Sequence, residues 1–315
     1  MKRIRVFHMR EFGILLGFLF LCIVLSIMSD RFLTLSNLTI ILRQTSINAI
    51  LAAGMTFVII SAGIDLSVGS IVALTGVIAA SIAVKGYGIV AAVMGGLAVS
   101  VVIGAFNGYI IGKHTIPPFI CTLSTMIIVR GLALVYTKGY PVFGLPSGYK
   151  FIGSGFLLSV PIPVIIMAIV YMITSFVLKH TNMGFYTFAI GGNEEATRLS
   201  GVNVVWYKIK IYTLNGLLAG VAGIVLTSRL NTGQPTAGEM FELDAIAAVV
   251  LGGTKLSGGE GTLLGTLIGA FIIGIIGNGL NLLDVPSFYQ YLVKGGIILL
   301  AVLLDTLRRK EKLSN

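Results

Sequence analysis

Charged residues are scarce in this sequence. They make up 11% of its 315 residues, whereas soluble domains carry roughly 25%. The hydrophobic share is 56%, and the apolar stretches run to about twenty residues, the length of a membrane-crossing helix rather than of a barrel strand. These features exclude a soluble globular protein and an outer-membrane barrel. They predict an all-α fold, a polytopic membrane helix bundle.

The sequence also offers few groups for redox, metal or nucleophilic chemistry. Its two cysteines, Cys22 and Cys121, fall within apolar stretches, which argues against a disulfide framework or a metal site. The three histidines, His8, His114 and His180, lie at the ends of such stretches. We therefore predict no catalytic residue and no metal site, and an intramembrane enzyme is disfavoured.

A phosphate-binding loop of the pattern GxxxxGK[ST] is missing too. Gly112-Lys113 is followed by His114 and lacks the upstream glycine. This chain is therefore not expected to hydrolyse ATP alone or to bind a cofactor. The net charge of +10 is explained by basic residues at span ends, so no nucleic-acid partner is expected.

Ten candidate spans form a single transmembrane permease-like domain over residues 1–315. The third and eighth spans are short for a full crossing and are predicted to be broken or re-entrant. A tail at 1–11, a polar segment at 179–207 and a tail at 306–315 lie outside the spans. The predicted spans are about 12–28, 38–60, 68–84, 88–112, 117–137, 157–178, 208–228, 242–254, 262–281 and 287–305.

The distribution of basic residues predicts the orientation. If both termini are cytoplasmic, 14 of the 22 Lys and Arg residues lie in cytoplasmic segments, 5 lie outside and 3 lie within spans. That asymmetry obeys the positive-inside rule and favours an even number of spans. The 5 outside residues would be Arg31, Lys85, Lys138, Lys150 and Arg229.

The segment Ser61 to Ser70, SAGIDLSVGS, places an acid between two apolar runs. An ionisable group at membrane depth costs about 2.5–3.5 kcal/mol on insertion scales, so Asp65 needs a structural or functional reason. It is a candidate for lining a translocation path or holding a gate. The favoured alternative is that Asp65 caps the following helix, and Ser67 is treated in the same way.

Other polar residues within the apolar spans are further candidates for a translocation path. Side chains of this kind usually form interhelical hydrogen bonds, which is the competing explanation. For the basic residue among them, Arg130, the alternative is snorkelling toward the outer interface near Tyr136. The full set of path or gate candidates is Asp65, Ser67, Asn107, Thr122, Arg130 and Asn215.

A weak internal duplication is present. The run GIDLSVGSIVALTGVIAA follows a break near residue 65, and LSGGEGTLLGTLIGAFIIG follows a similar break near residue 258. Paired interruptions in two halves are typical of inverted-repeat transporters, so pseudo-repeat halves are predicted. Small-residue helix packing alone is the alternative explanation.

The polar segment contains AIGGNEEATRLSGVNV, from Ala189 to Val204. Gly191 and Gly192 are predicted to break the chain, and Asn193 is a favourable N-cap. Acidic residues in the first turn suit the helix dipole, and Gly201 is placed to end the helix. A helix of two turns is marginal in water by itself, so it needs a surface to dock against. An ordinary capped surface helix remains the alternative.

Four segments in order resemble the permease subunits of bacterial ribose-type ABC importers. They are SAGIDLSVGS (61–70), FNGYIIGKHTIPPFICTLSTMIIVRGLAL (106–134), AIGGNEEATRLSGVNV (189–204) and DAIAAVVLGGTKLSGGEGTLLGTLIGA (244–270). The resemblance extends from about Phe32 to Arg308. It implies about ten spans, cytoplasmic termini and import of a monosaccharide, ribose or a similar pentose, across the cytoplasmic membrane.

The resemblance also implies partners. A second permease copy or a paralogue would complete a dimer, two ATPase sites would carry ATP and Mg, and an extracytoplasmic sugar-binding protein would deliver the cargo. The predicted ATPase-coupling helix comprises Gly192, Asn193, Glu194, Glu195, Ala196, Arg198, Leu199 and Gly201. The alternative function is an ion-gradient-driven secondary transporter of a small polar solute, which would need paired intramembrane acids and bases.

Overall fold

A computed structural model of the chain describes residues 2–286, 288–297, 299, 300 and 303, with side chains from residue 12 onward. The described part is mainly helical, and its one sheet is a hairpin of two strands with two residues each. Residues 288–297 are helical as well. The named helices are α1 (Lys2–Met28), α2 (Leu35–Ile60), α3 (Val68–Val84), α4 (Ile89–His114), α5 (Pro118–Thr137), α6 (Ser147–Ser154), α7 (Ile162–His180), α8 (Asn182–Gly192), α9 (Glu194–Leu199), α10 (Val204–Leu230), α11 (Phe241–Leu251) and α12 (Leu263–Leu282). The hairpin strands are β1 (Phe156–Leu157) and β2 (Val160–Pro161), paired antiparallel.

Six helices in the described part of the chain are long and apolar enough to cross a membrane, namely α2, α4, α5, α7, α10 and α12. The apolar part of α1 and the whole of α3 are shorter apolar helices. An all-helical membrane bundle is therefore confirmed. The count of ten crossings and the cytoplasmic placement of the termini stay predictions, and the tail at 306–315 lies outside the described residues.

One sequence-based boundary needs correction. The sixth span begins at Ile162 rather than at 157, because the β1–β2 hairpin occupies residues 156–161. The predicted tail at 1–11 is helical from Lys2 onward as the first part of α1, and its place outside the membrane stays a prediction. The segment between α5 and the hairpin contains a short helix, α6, whose Tyr149 is fully buried.

Helices α3 and α11, of 17 and 11 residues, correspond to the two spans that the sequence predicted to be short. The residues before each of them run without regular helix into the interior of the bundle. The starts of α3 and α11 meet there: a Cβ on Gly69 would collide with the Gly238 carbonyl and the Glu242 carboxylate. From that point α3 runs toward the start of α4, and α11 runs the opposite way to Gly252, beside Gly265 of α12.

The short helices α3 and α11 have corresponding neighbours in the two halves of the chain. Helix α3 packs on α4 and α10, whereas α11 packs on α12 and α2, and the long helices pair as α4 with α10 and α12 with α2. An inverted repeat would give this arrangement, and the pseudo-repeat halves stay a prediction. On this pairing of helices, the segment that corresponds to residues 61–67 is 231–240, whereas residue 258 lies in the loop joining α11 to α12.

Glycines bring α4 and α10 into close contact. A Cβ on Gly108 would lie 2.6 Å from Ile209 Cα, and one on Gly112 would lie 3.1 Å from Val205 Cα. Gly104 meets α10 in the same way at Tyr212 and Gly216. Small residues four apart let two backbones approach in membrane helices. The close approach fixes the position of α10, which carries several residues of the candidate site.

Candidate functional site

Asp65 is the centre of a buried polar network in the α2–α3 loop. Its Oδ1 accepts hydrogen bonds from the backbone N–H and the hydroxyl of Ser67, at 2.9 and 2.6 Å. Its Oδ2 accepts one from Asn215 Nδ2 of α10, at 2.8 Å. The Asp65 side chain is 0% exposed. The N-cap of α3, which begins at Val68, is Ser67 rather than Asp65, and it makes no side-chain cap hydrogen bond. Asp65 instead accepts from the N–H of that N-cap residue.

The network extends to helices α4 and α5. Asn107 Nδ2 donates to Ser67 Oγ at 2.9 Å, and Asn107 Oδ1 accepts from Thr125 Oγ1 at 2.7 Å. Thr122 Oγ1 bonds the loop through the Ile64 carbonyl at 3.2 Å. We call these residues the Asp65 network: Asp65, Ser67, Asn107, Thr122, Thr125 and Asn215. All six are buried, and the set contains five of the six path or gate candidates.

The Asp65 network provides hydrogen-bond partners for backbone groups of the α2–α3 loop, such as the buried Ser67 N–H and the Ile64 carbonyl. A buried polar group without a partner costs about 1–3 kcal/mol, so each of these contacts matters for the conformation of the loop. Three helices, α4, α5 and α10, each contribute a side chain or more. The network therefore fixes the α2–α3 loop against its neighbours. Lining of a path by these residues stays a prediction.

Arg130 lies apart from the Asp65 network. Its Nη1 donates to the carbonyls of Pro235 and Ala237, at 2.8 and 2.7 Å. Snorkelling toward Tyr136 is therefore not what the guanidinium does. It holds the irregular segment before α11, much as the Asp65 network holds the segment before α3.

An ion pair that the sequence did not reveal joins α11 to the last helical segment. Lys294 Nζ lies 2.7 Å from Asp244 Oδ2, and the Asp244 side chain is 5% exposed. Asp244 lies in the first turn of α11, where the helix dipole also favours an acidic residue. Its partner is fifty residues away along the chain, and no motif in the sequence links the two positions.

Helix α9 is the short helix that the sequence predicted. Asn193 Oδ1 accepts from the Ala196 N–H at 2.9 Å, which is the expected N-cap. Gly201 has a φ of +81° and follows the end of the helix, as expected. Gly191 and Gly192 do not break the chain, because they form the last turn of α8. Gly191 lies against the Ile60 carbonyl at the end of α2, which leaves no room for a Cβ.

The side chains of α9 divide into an inner and an outer set. Glu194 is held on both sides, by Arg198 Nη2 at 3.0 Å and by Lys208 Nζ of α10 at 2.7 Å. Thr197 is buried, whereas Glu195, Ala196 and Leu199 are exposed. Leu199 is 80% exposed. Helix α9 thus presents an apolar and acidic surface while Glu194 anchors it to the bundle.

Basic residues surround α9 at this end of the bundle. Lys113 and Lys179 stand in the last turns of α4 and α7, and Lys210 is in the second turn of α10. Lys255 pairs with Glu260 in the loop before α12. By the positive-inside rule, such an end faces the cytoplasm. The orientation predicted from the sequence rests on these same residues.

Residues 37–302 match the family described as branched-chain amino acid transport system / permease component. The ribose import permease protein RbsC of Bacillus subtilis (strain 168) is 52% identical over 299 residues, covering 94% of this chain and 93% of that protein. RbsC of Escherichia coli (strain K12) is 52% identical over 295 residues, covering 92% of each. The D-allose transport system permease protein AlsC of Escherichia coli (strain K12) is 39% identical over 286 residues, covering 90% and 88%. No solved structure matches the chain.

Proposed function

The chain belongs to this family of transport-system permease components, and we propose that it is the membrane-spanning subunit of an ATP-driven importer for ribose or a similar pentose. It is a multi-pass protein of the inner membrane. Its relatives are named as permeases, so its role is transport rather than catalysis. The observation that carries the proposal is 52% identity to ribose import permeases over more than nine-tenths of the chain.

The ranking of the relatives favours ribose itself, because the permease for D-allose, a hexose, ranks above the permease for xylose, a pentose. Identity falls from 52% for the ribose permeases to 39% for the D-allose permease. It is 36% for the xylose permease XylH of Escherichia coli (strain K12). Sugar choice in such systems resides largely in a separate binding protein, so the sugar must be tested on the assembled importer.

The exposed face of α9 is the proposed docking surface for the ATPase subunit. Ala196 and Leu199 form its apolar part, and Glu195 is its free acid. Glu194 and Arg198 pair with each other, which leaves Glu195 as the acid available to a partner. ATP and Mg bind on the ATPase subunit, and this chain holds neither.

The remaining partners follow from the importer architecture. We propose that a second copy of this chain or a paralogue completes the membrane dimer. An extracytoplasmic sugar-binding protein docks at the end of the bundle opposite α9, where α6 and the β1–β2 hairpin lie. Lipid surrounds the exposed apolar faces of the spanning helices.

The rival function is transport driven by an ion gradient. One structural feature favours it, the largely buried pair of Asp244 and Lys294, since secondary transporters use intramembrane acids and bases. The family assignment outweighs this single pair. A protonophore distinguishes the two functions, because ATP-driven uptake in sealed vesicles persists when the ion gradient is collapsed.

The experiment is co-purification followed by reconstitution. The tagged chain is taken from native membranes in gentle detergent and its partners are identified by mass spectrometry. The complex is then placed in vesicles with ATP inside, and uptake of labelled ribose is measured with and without its binding protein. We expect one phosphate-loop ATPase chain, or half of a two-site one, for each permease, and uptake that requires ATP.

Competition by D-allose and D-xylose then ranks the sugars. An unchanged rate of labelled ribose uptake in the presence of excess D-allose or D-xylose supports the ribose assignment. Purification of the chain without any ATPase, together with uptake abolished by a protonophore, would instead establish the secondary-transporter alternative.

A further inference from the structure

The ion pair between α9 and α10 starts a continuous set of contacts into the bundle. Lys208 Nζ and Glu194 Oε2 are 2.7 Å apart, and Lys208 as a whole is only 8% exposed. The pair is partly buried, with the Glu194 side chain 33% exposed. Loss of Glu194 would leave the charge of the largely buried Lys208 uncompensated, which is unfavourable. A displacement of α9 would therefore displace Lys208 of α10 as well, because separating the two side chains is unfavourable.

Tyr212 stands one helical turn beyond Lys208 and faces the α2–α3 loop. A Cβ on Gly63 would collide with the Tyr212 hydroxyl, so ring and loop are in direct contact. That hydroxyl is buried and has no hydrogen-bond partner among the described residues. Tyr212 is thus held by packing rather than by a hydrogen bond.

A cavity of about 180 Å³ lies between these elements. Glu194 of α9, Lys208 and Tyr212 of α10, and Ser61 to Gly63 of the loop all line it. The cavity gives the loop and α9 space to move relative to each other, and α10 is the wall that they share.

Asn215 completes the set at the deepest point, where its Nδ2 donates to Asp65 Oδ2 at 2.8 Å. Positions 208, 212 and 215 have the spacing i, i+4 and i+7, so they lie on one face of α10. At 1.5 Å per residue this face covers about 10 Å along the helix axis. Its three residues contact α9, the middle of the α2–α3 loop and the Asp65 carboxylate in turn.

We propose that the face of α10 formed by Lys208, Tyr212 and Asn215 transmits movement of α9 to the α2–α3 loop. Lys208 is then a positioning residue for the transport cycle, acting through Glu194. This inference rests on the proposed function, because α9 moves only if an ATPase subunit docks there. It assigns to α10 a role in coupling beyond that of the docking helix itself.

Adjacency alone does not establish coupling, so the test is a double-mutant cycle. The variants are Lys208→Met, Glu194→Gln and their combination, in the reconstituted complex with its ATPase and binding protein. The matched control is Lys210→Met, since Lys210 is on the same helix but faces the Trp206 and Tyr207 rings. The readouts are ATPase recovered per permease and ribose transported per ATP hydrolysed.

We expect Lys208→Met to lower ribose transported per ATP about tenfold, a usual size for coupling between sites, while the ATPase still co-purifies. The double variant should be no worse than Lys208→Met, and Lys208→Arg should retain most of the coupling. Tyr212→Leu leaves the Glu194–Lys208 pair intact but removes the contact of the Tyr212 hydroxyl with Gly63. It should therefore also lower the ribose transported per ATP, and it replaces Lys208→Met as the test if that variant does not fold.

Three results would overturn the proposal: an unchanged ratio in Lys208→Met and Tyr212→Leu, additive losses in the double variant, or an equal loss in Lys210→Met. Loss of the ATPase from Lys208→Met during purification would also overturn it, by showing that Lys208 supports docking only. Failure of the proposed function is distinguishable, because the unaltered complex would then show no ATP-dependent uptake at all.

Discussion

The Asp65 network and helix α9 both place acidic residues beside a helix start, yet they differ in what surrounds them. Asp65 is fully buried and accepts three hydrogen bonds from within the chain. In helix α9, Glu194 pairs with Arg198 and Lys208 of the same chain, whereas Glu195 and Leu199 are exposed. Groups that are satisfied internally hold a conformation, whereas exposed apolar and charged groups on a fixed helix are available to a partner. The first region therefore fixes the conformation of the α2–α3 loop, and the second is the surface that we propose for recognition of the ATPase.

Removing the Asp65 carboxylate breaks the buried region and should have the largest effect. Asp65→Ala leaves the Ser67 N–H and Asn215 Nδ2 without partners, at about 1–3 kcal/mol for each group. We expect most of the protein to be lost from the monodisperse fraction in detergent, as measured by size-exclusion chromatography and thermal unfolding.

Asp65→Asn is the matched control for that change. Its Oδ1 still accepts from Ser67, and the Asn215 amide can turn over, because Asn215 Oδ1 has no partner among the described residues. We expect it to fold and to transport. Loss of transport in a well-folded Asp65→Asn variant would contradict a structural role and indicate that the charge itself is needed.

Changing Leu199 tests the exposed region, with the next largest effect. Leu199→Lys replaces the exposed apolar side chain, and lysine in the last turn does not oppose the helix dipole. Burying a leucine contributes about 1.5–3 kcal/mol, so affinity for the ATPase should fall about 10- to 100-fold. Titration of detergent-solubilised permease with the ATPase measures it.

Leu158→Lys is the control for the Leu199 change, since Leu158 is 91% exposed in the hairpin at the far end of α7. Equal weakening by both variants would show that the loss is not specific to α9.

Removing the N-cap of α9 should have a smaller effect. Asn193→Ala costs about 1 kcal/mol of helix stability, which lowers the equilibrium constant for folding of α9 about fivefold. The loss matters more in a helix of only six residues than in a long one. Asn203→Ala is the control: it removes the equivalent bond to the Trp206 N–H from the 27-residue α10. The ATPase titration should separate the two, and a similar loss in both would argue against α9 as an independent docking element.

Arg198→Ala should have the smallest effect. The pair with Glu194 is solvent-exposed on the arginine side, and i,i+4 pairs of this kind contribute about 0.3–0.5 kcal/mol. We expect a change in ATPase affinity of about twofold. A loss beyond tenfold would mean that Arg198 contacts the ATPase directly, as the sequence-based assignment of α9 had included.

Local rules in the sequence were sufficient for α9, because Asn193, the acidic first turn and Gly201 act within a few residues of each other. They were also sufficient for the short spans α3 and α11, which glycine and acidic residues mark. They were not sufficient for the pairs Asp244–Lys294 and Glu194–Lys208 or for the contacts of Arg130. Those contacts depend on how distant helices pack, and no spacing along the chain encodes them.

Site-specific photocrosslinking from position 199 shows whether the exposed face of α9 contacts the ATPase subunit. A crosslinking amino acid is placed at Leu199, and separately at Leu158, in cells that produce the whole importer, and the adducts are identified by mass spectrometry. We expect position 199 to capture the phosphate-loop ATPase and position 158 not to capture it. Capture of the ATPase from position 158 but not from position 199 would show that α9 is not the docking surface.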